Sequence, residues 1–347
     1  MSLQYLNAQS SGEHSDSVWK CSWTAKNEVV SASADGGLRV WDNSNPSRPS
    51  RQIQAHTLGI TSLSIDELGR KALTVSVEGT LALTDLQSMK KLGKKQTFSE
   101  EIGEEGAILS AWSVSMHPSG SSYASTGQGA RVGFYRISEN EDDISMNGDG
   151  AMGGGSGGLS GECLKLMEVG KEKFGMDICY SPDGKNLALS TESGRIIVID
   201  VETQAVIASH ASHGLCSRTV SWSPDSQWLF SGSDDRRIVL HDVRAGSHSA
   251  GSGRGSAAVG ELFGHTSWVL SVKASPDGRL LASGGADSAV KIWDVGQRAC
   301  VSSTTTTAQV WSVDWQPLAA NQANAGKAFI SGGDDNKVTW WKAAGTA

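Results

Sequence analysis

Apolar and polar residues alternate with a period of two in short runs along most of the chain, and the pattern is clearest from Phe263 to Val295. Trp268 to Ala274 alternates and stops at Ser275-Pro276-Asp277-Gly278. Arg279 to Ser283 follows and is broken at Gly284-Gly285-Ala286-Asp287. Ala289 to Trp293 completes the unit, with Val290 and Ile292 on one side and Lys291 on the other. Successive side chains of an extended strand point to opposite faces. Alternation interrupted by Pro, Asp and Gly therefore predicts short strands joined by tight turns.

The third of these strands recurs along the chain. It reads LRVWD ending at Asp42, LALTD at Asp85, VGFYR at Arg136, IIVID at Asp200, IVLHD at Asp242, VKIWD at Asp294 and VTWWK at Lys342. Successive spacings are 43, 51, 64, 42, 52 and 48 residues, close to the roughly 40–45 of a repeat that opens with Gly-His and closes with Trp-Asp. A turn proline follows the first strand at Pro118, Pro182, Pro224, Pro276 and Pro317. An acidic residue stands six before the Trp position at Asp35, Glu78, Asp235, Asp287 and Asp335, whereas the third and fourth copies have Gly129 and Ser193 there. The predicted fold is all-β, a seven-bladed WD-repeat β-propeller spanning 1–347 as one domain. The last copy ends at its third strand near Trp341, so the strand-like Leu3-Gln4-Tyr5-Leu6-Asn7 is expected to complete that blade and close the ring.

Three stretches interrupt the period: 138–161, 246–258 and 318–326. They are rich in Gly and Ser, or small and polar, and are expected to be disordered loops. Two follow a third strand and one follows a first strand, which places all three on one face of an up-and-down ring. The opposite face carries the His and Asp turns and is the expected working surface.

Composition narrows the function classes. Trp accounts for 12 residues although aromatics make up only 6% of the chain, as repeated blade positions would give. No apolar run approaches the ~20 residues of a membrane span, and the N-terminus lacks the layout of a secretory signal. Cys21, Cys163, Cys179, Cys216 and Cys300 show no paired spacing and read as reduced thiols of a cytoplasmic or nuclear protein. A net charge of −7 without a basic stripe argues against direct nucleic-acid binding.

His265, Ser283 and Asp287 could be read as a hydrolase triad. The same types recur as His14, Ser31 and Asp35 with Trp41, and as His213, Ser231 and Asp235 with His241 in the Trp position. A catalytic set occurs once per site, and no oxyanion hole accompanies this one. Counting donors and acceptors assigns it a structural task instead, running from the indole N–H of Trp293 to the Ser hydroxyl, then to His, then to Asp. His56, Thr74 and Glu78 form a weaker version. The third, fourth and seventh copies lack the His, so the third and fourth blades are expected to be the softest. The eight His show no zinc spacing, and no phosphate-cradle motif is present, so neither metal nor cofactor is expected.

The residue five after each blade's His, or six before its turn proline, should face the central opening. These residues are Trp19, Thr61, Trp112, Met176, Arg218, Leu270 and Trp311. Two positions earlier stand Ser17, Gly59, Ser110, Phe174, Cys216, Trp268 and Gln309. Trp19, Trp112, Phe174, Met176, Arg218, Trp268, Leu270 and Trp311 are thus the expected partner-binding residues, since Trp and Arg dominate binding hot spots. Glu100, Glu101, Glu104, Glu105, Glu192, Asp234 and Asp334 fringe the same face. Together with indole faces they would suit an arginine-bearing peptide.

The segments SWVLSV, SPDG and VKIWDVGQRACV followed by AQVWSVDW, with AWSVSMHPSG, SPDGKNLALSTESGRIIVID and HTLGITSLSI, resemble the WD-repeat subunit of the superkiller (Ski) complex. The likeness extends over all the repeats, and the Gly/Ser insertions depart from it. It implies a non-catalytic scaffold whose partners are a tetratricopeptide scaffold subunit and a DExH RNA helicase. Such an assembly supports exosome-dependent 3′-to-5′ mRNA decay in the cytoplasm, and relatives have nuclear roles in meiotic recombination and transcription. The resemblance also implies partner segments carrying Gln-Arg and an apolar residue, to be met by the Trp19, Trp112 and Trp311 cluster. A substrate receptor for a ubiquitin ligase or chromatin complex is the other interaction role open to this fold.

Overall fold

A computed structural model describes residues 4–96, 111–137, 159, 163–167, 169–244, 258–318 and 326–344. After β1 (Tyr5–Ser10), the strands fall into groups of four. The first blade is β2 (Val18–Trp23), β3 (Glu28–Ser33), β4 (Gly37–Asp42) and β5 (Arg51–Gln54). The second is β6 (Ile60–Ile65), β7 (Lys71–Ser76), β8 (Thr80–Asp85) and β9 (Lys90–Gln96). The third is β10 (Ala111–Met116), β11 (Ser122–Gly127), β12 (Val132–Arg136) and β13 (Cys163–Met167). The fourth is β14 (Gly175–Tyr180), β15 (Asn186–Thr191), β16 (Arg195–Asp200) and β17 (Ala205–Ala211). The fifth is β18 (Ser217–Trp222), β19 (Trp228–Ser233), β20 (Arg237–Asp242) and β21 (Ala258–Phe263). The sixth is β22 (Val269–Ala274), β23 (Leu280–Gly285), β24 (Ala289–Asp294) and β25 (Ala299–Thr305). The seventh holds β26 (Val310–Trp315), β27 (Ala328–Gly333) and β28 (Val338–Ala343), and β1 is its fourth strand. Each first strand packs on the next, from β2 on β6 through to β26 back on β2, and the seven antiparallel sheets form a closed ring.

The core lies between blades. Val18, Trp23, Val29 and Trp41 of the first blade pack with Ala328, Ile330, Val338 and Trp340 of the seventh. Ala282, Val290 and Ile292 of the sixth pack with Val313, Phe329 and Trp341 of the seventh. Because both faces of a blade are covered, the second strands are buried along nearly their whole length, and they read as runs of apolar and small residues such as VVSAS in β3. This packing moves one boundary. Gly284 and Gly285, expected in a turn, are the end of β23. A Cβ on Gly284 would stand 2.5 Å from Val310 Cγ1 of the next blade. Gly232 faces Val269, and Gly332 faces Val18, in the same way. Glycine is required there by close approach of the neighbouring strand.

Ring closure involves β1, which pairs antiparallel with β28 from Tyr5↔Ala343 to Ser10↔Thr339, slightly later in the chain than expected. Tyr5 is buried edge-on against Trp315 and Phe329, and its hydroxyl donates to the Gly326 carbonyl. The outermost strands, whose positions the alternation did not reveal, are more exposed, and several carry charges that discourage edge pairing, as in KKLGKKQ of β9. The interruptions at 138–161, 246–258 and 318–326 lie almost wholly outside the described residues. The strands that flank them, β12/β13, β20/β21 and β26/β27, put their points of attachment on the face away from the His and Asp turns. Among the described residues no helix is long and apolar enough to cross a membrane.

Removing residues 1–10 should leave β28 as an exposed edge, lower the melting temperature and promote aggregation. Tyr5→Ala in the full chain should cost about 3–5 kcal/mol, as for other large-to-small aromatic changes. Thermal unfolding with light scattering measures both, and an unchanged melting temperature would mean that β1 does not close the ring.

Candidate docking site

One irregularity is repeated in every blade. The pairing of first and second strands slips between Val18 and Lys20, Ile60 and Ser62, Ala111 and Ser113, Gly175 and Asp177, Ser217 and Thr219, Val269 and Ser271, and Val310 and Ser312. A β-bulge leaves one residue outside the ladder and re-aims its side chain. The residues left out are Trp19, Thr61, Trp112, Met176, Arg218, Leu270 and Trp311. All seven line a single cavity of ≈ 260 Å³ at the mouth of the ring, together with Lys20 and Ser113.

Trp19 and Trp311 sit side by side, with ring centroids 6.5 Å apart, and Trp112 meets Phe174 edge-on at 5.8 Å. Trp268 is 47% exposed, with the Arg218 guanidinium 4.7 Å over its ring. Phe174 and Trp268 therefore flank the cavity and do not line it. Leu270 lines it but is 5% exposed, so it adds wall and little open surface. The acidic fringe is partly committed. Arg218 donates to Asp234 through Nε and, at 2.9 Å, through Nη2, while Trp311 Nε1 donates to Asp334 Oδ1 at 2.6 Å. Glu100, Glu101, Glu104, Glu105 and Ser110 lie outside the described residues.

The next residue inward on each first strand ties neighbouring blades together. Ser62 accepts from the Val114 amide, Ser113 from Ile178, Asp177 from Val220, Thr219 from Val272, Ser271 from Val313, and Ser312 from Cys21, at 3.0–3.4 Å. The junction of the first and second blades has Lys20 in this place, and an ammonium can only donate. Sequence alternation gave no sign of this belt, because Ser and Thr in a strand look like ordinary polar positions.

The recurring His/Ser/Asp sets form clasps between turn and sheet. Ser31 bonds His14 Nε2 at 2.7 Å and accepts from Trp41 Nε1 at 2.8 Å, and His14 Nδ1 reaches Asp35 at 3.3 Å. His265, Ser283, Asp287 and Trp293 repeat this at 2.7–3.0 Å. In the fifth blade, Ser231 bonds both His213 and His241. The second blade inserts a residue that the spacing missed: His56 bonds Thr74 and Thr80, and Thr80 hands on to Glu78. The fourth uses Glu172, which accepts from Ser193 and pairs with Arg195 at 3.4 Å. In the seventh, Trp341 still bonds Ser331. Ser31, Ser231 and Ser283 are completely buried with their bonds filled, which leaves no accessible nucleophile in the clasps of the first, fifth and sixth blades.

Burial lowers His14 and His56 to a pKa of about 4, with Arg39 adding to the effect at His14. Burial opposes ionisation of Asp35 and Asp287. At Asp35 the Gly37 amide and Ser15 outweigh it, and at Asp287 His265 and the Thr266 amide do so, so both carboxyls titrate at about 2. In the seventh blade, without a His, burial leaves the Asp335 carboxyl raised.

Three stretches of the chain, 8–42, 203–242 and 257–294, match the family model described as WD domain, G-beta repeat. The WD repeat-containing protein SL1-17 of Schistosoma mansoni is 28% identical over 241 residues, 67% of this chain and 69% of that protein. The WD repeat-containing protein VIP3 of Arabidopsis thaliana is 28% identical over 291 residues, 78% of this chain and 77% of the relative. The anaphase-promoting complex subunit cdc20 of Dictyostelium discoideum is 31% identical over 185 residues, 52% of this chain but only 34% of that protein.

Ser283→Ala removes the acceptor of Trp293 and the partner of His265 and should cost about 1–3 kcal/mol in denaturant unfolding. Acid should weaken the fold in two windows. His14 and His56 titrate lower folded than unfolded, so their contribution is complete above the ordinary 6.5 and declines as pH falls toward 4. The contributions of Asp35 and Asp287 are complete above 3.8 and are lost as pH falls through 2. Melting temperatures from pH 8 to 3 should show the first decline, and His56→Gln should reduce it.

Proposed function

We propose that this chain, a seven-bladed WD-repeat propeller, is a non-catalytic scaffold that grips a segment of a partner protein in the mouth of its ring. The observation that carries the reading is the convergence of the seven bulged residues, three of them Trp, on one cavity. Partly exposed indoles held in place by neighbours are typical anchors of protein interfaces. Indole faces with Asp334 and Glu192 nearby suit an arginine-bearing segment. The buried, saturated serines of the clasps speak against a hydrolase.

The finer reading is the WD-repeat subunit of a Ski-type complex, supported by the repeat motifs quoted above. The partners are then a tetratricopeptide scaffold subunit and a DExH RNA helicase, and the process is exosome-dependent 3′-to-5′ mRNA decay. The protein would reside in cytoplasm and nucleus, with a second role in meiotic recombination. A second reading is a substrate receptor of a ubiquitin ligase or chromatin complex, favoured by the similarity to a protein named as an anaphase-promoting complex subunit. Affinity purification of the tagged chain separates them. Recovery of the helicase and the tetratricopeptide subunit supports the first, and recovery of ubiquitin-ligase or histone-modifying subunits without them supports the second.

Trp311→Ala and Trp19→Ala should each remove the captured partner from such a purification, through losses of about 2 kcal/mol or more, while leaving the melting temperature nearly unchanged. Partner retained by both variants would move the site away from the mouth.

A further inference from the structure

Lys20 departs from the repeat in two ways at once. The belt of side-chain acceptors beneath the mouth uses Ser, Thr or Asp at every other junction. At the first it has an ammonium, which cannot accept the neighbouring amide. A position that breaks a rule kept around the rest of the ring, with no structural gain in return, points to function.

The second departure is electrostatic. The hydroxyls and the guanidinium that line the cavity are engaged. Thr61 Oγ1 donates to the Trp112 carbonyl at 2.7 Å, and Ser113 Oγ donates to Asp177 Oδ1 at 3.0 Å. The Arg218 guanidinium is held by Asp234. Lys20 lines the cavity, yet among the described residues its ammonium has neither a hydrogen-bond acceptor nor an ion-pair partner. Asp177 is at the same level of the ring, but its two oxygens are used by Ser113 and by the Val220 amide. The cavity thus has an apolar collar of Trp19, Trp112, Trp311 and Met176, and one step inward along the first strand, an ammonium that makes no direct ion pair among the described residues.

Resting on the docking reading above, we infer that the mouth receives a glutamate side chain of a partner segment, its methylene stem within the indole collar and its carboxylate on Lys20. The stem suits apolar walls, and the terminal charge pairs with the cavity-lining cation that has no ion pair among the described residues. A cationic side chain would place like charges together inside the collar. Arginine recognition at the rim and glutamate recognition on the axis are separate requirements, and one segment can meet both.

Peptide display on the purified chain, eluting with 50-fold excess hexanoate as an apolar-stemmed carboxylate, tests this directly. Peptides selected on the wild type should be enriched in Glu, and Glu→Gln in a selected peptide should weaken it about tenfold or more, as loss of a charge-assisted bond would. Lys20→Met should abolish that discrimination, and Lys20→Glu should shift the selection toward Lys or Arg. Both variants should melt near the wild-type temperature, because Lys20 has no hydrogen bond or ion pair to lose among the described residues. Equal Glu frequencies on wild type and Lys20→Glu, or no peptide that hexanoate displaces, overturns the inference. Peptides that require Trp311 but not Glu overturn it while leaving the docking reading intact. Peptides indifferent to Trp311→Ala overturn the docking reading itself.

Discussion

The ring rests on contact between neighbouring first strands. A blade is a small sheet with two apolar faces, and it cannot bury both unless another blade lies on each side. Closure is therefore a condition of stability for every blade, and the hydrogen bonds from Ser62, Ser113, Asp177, Thr219, Ser271 and Ser312 set the angle at which adjacent strands meet. The clasps act further out, fixing the turns on one face to their sheets. Their variation among blades, with Thr80 interposed in the second and Glu172 serving the fourth, shows that the polar link is needed more than any one pair of residues.

The same geometry produces the mouth. A first strand in regular pairing would point its residues alternately toward the two neighbouring blades. The bulge shared by all the first strands takes one residue out of that alternation and aims it at the axis. Seven such residues at one level enclose a cavity no single blade could form, and their identities decide what the cavity accepts. Large indoles narrow it. Arg218 is tied back by Asp234, so its charge is not offered inward, and Lys20 is the cavity-lining cation without an ion pair among the described residues.

Much of this was legible in the chain. The Trp-Asp strand and its spacing gave the number of blades, the strand-like Leu3-Gln4-Tyr5-Leu6-Asn7 gave the means of closure, and the offset from His or turn proline identified seven of the nine residues that line the mouth. The clasps of the first, fifth and sixth blades followed from donor and acceptor counting. Less was visible where a residue's role depends on a neighbour in another blade. Gly284 reads as a turn residue until Val310 is seen against it. Leu270 reads as a surface anchor until its burial is seen, and Asp234 as a free charge until Arg218 is found on it.

The sequence by itself determined the repeat, its count and its order, because period-two alternation and turn chemistry are local and survive in a linear string. Only the tertiary structure decided which polar residues are spent within the ring and which are left over. Satisfaction of a hydroxyl, a carboxylate or an ammonium depends on atoms brought near by closure from distant parts of the chain. Ser62 and Lys20 look alike as polar positions in a strand. The ring makes the first a tie between blades and leaves the second, beneath the indoles, without an ion pair among the described residues.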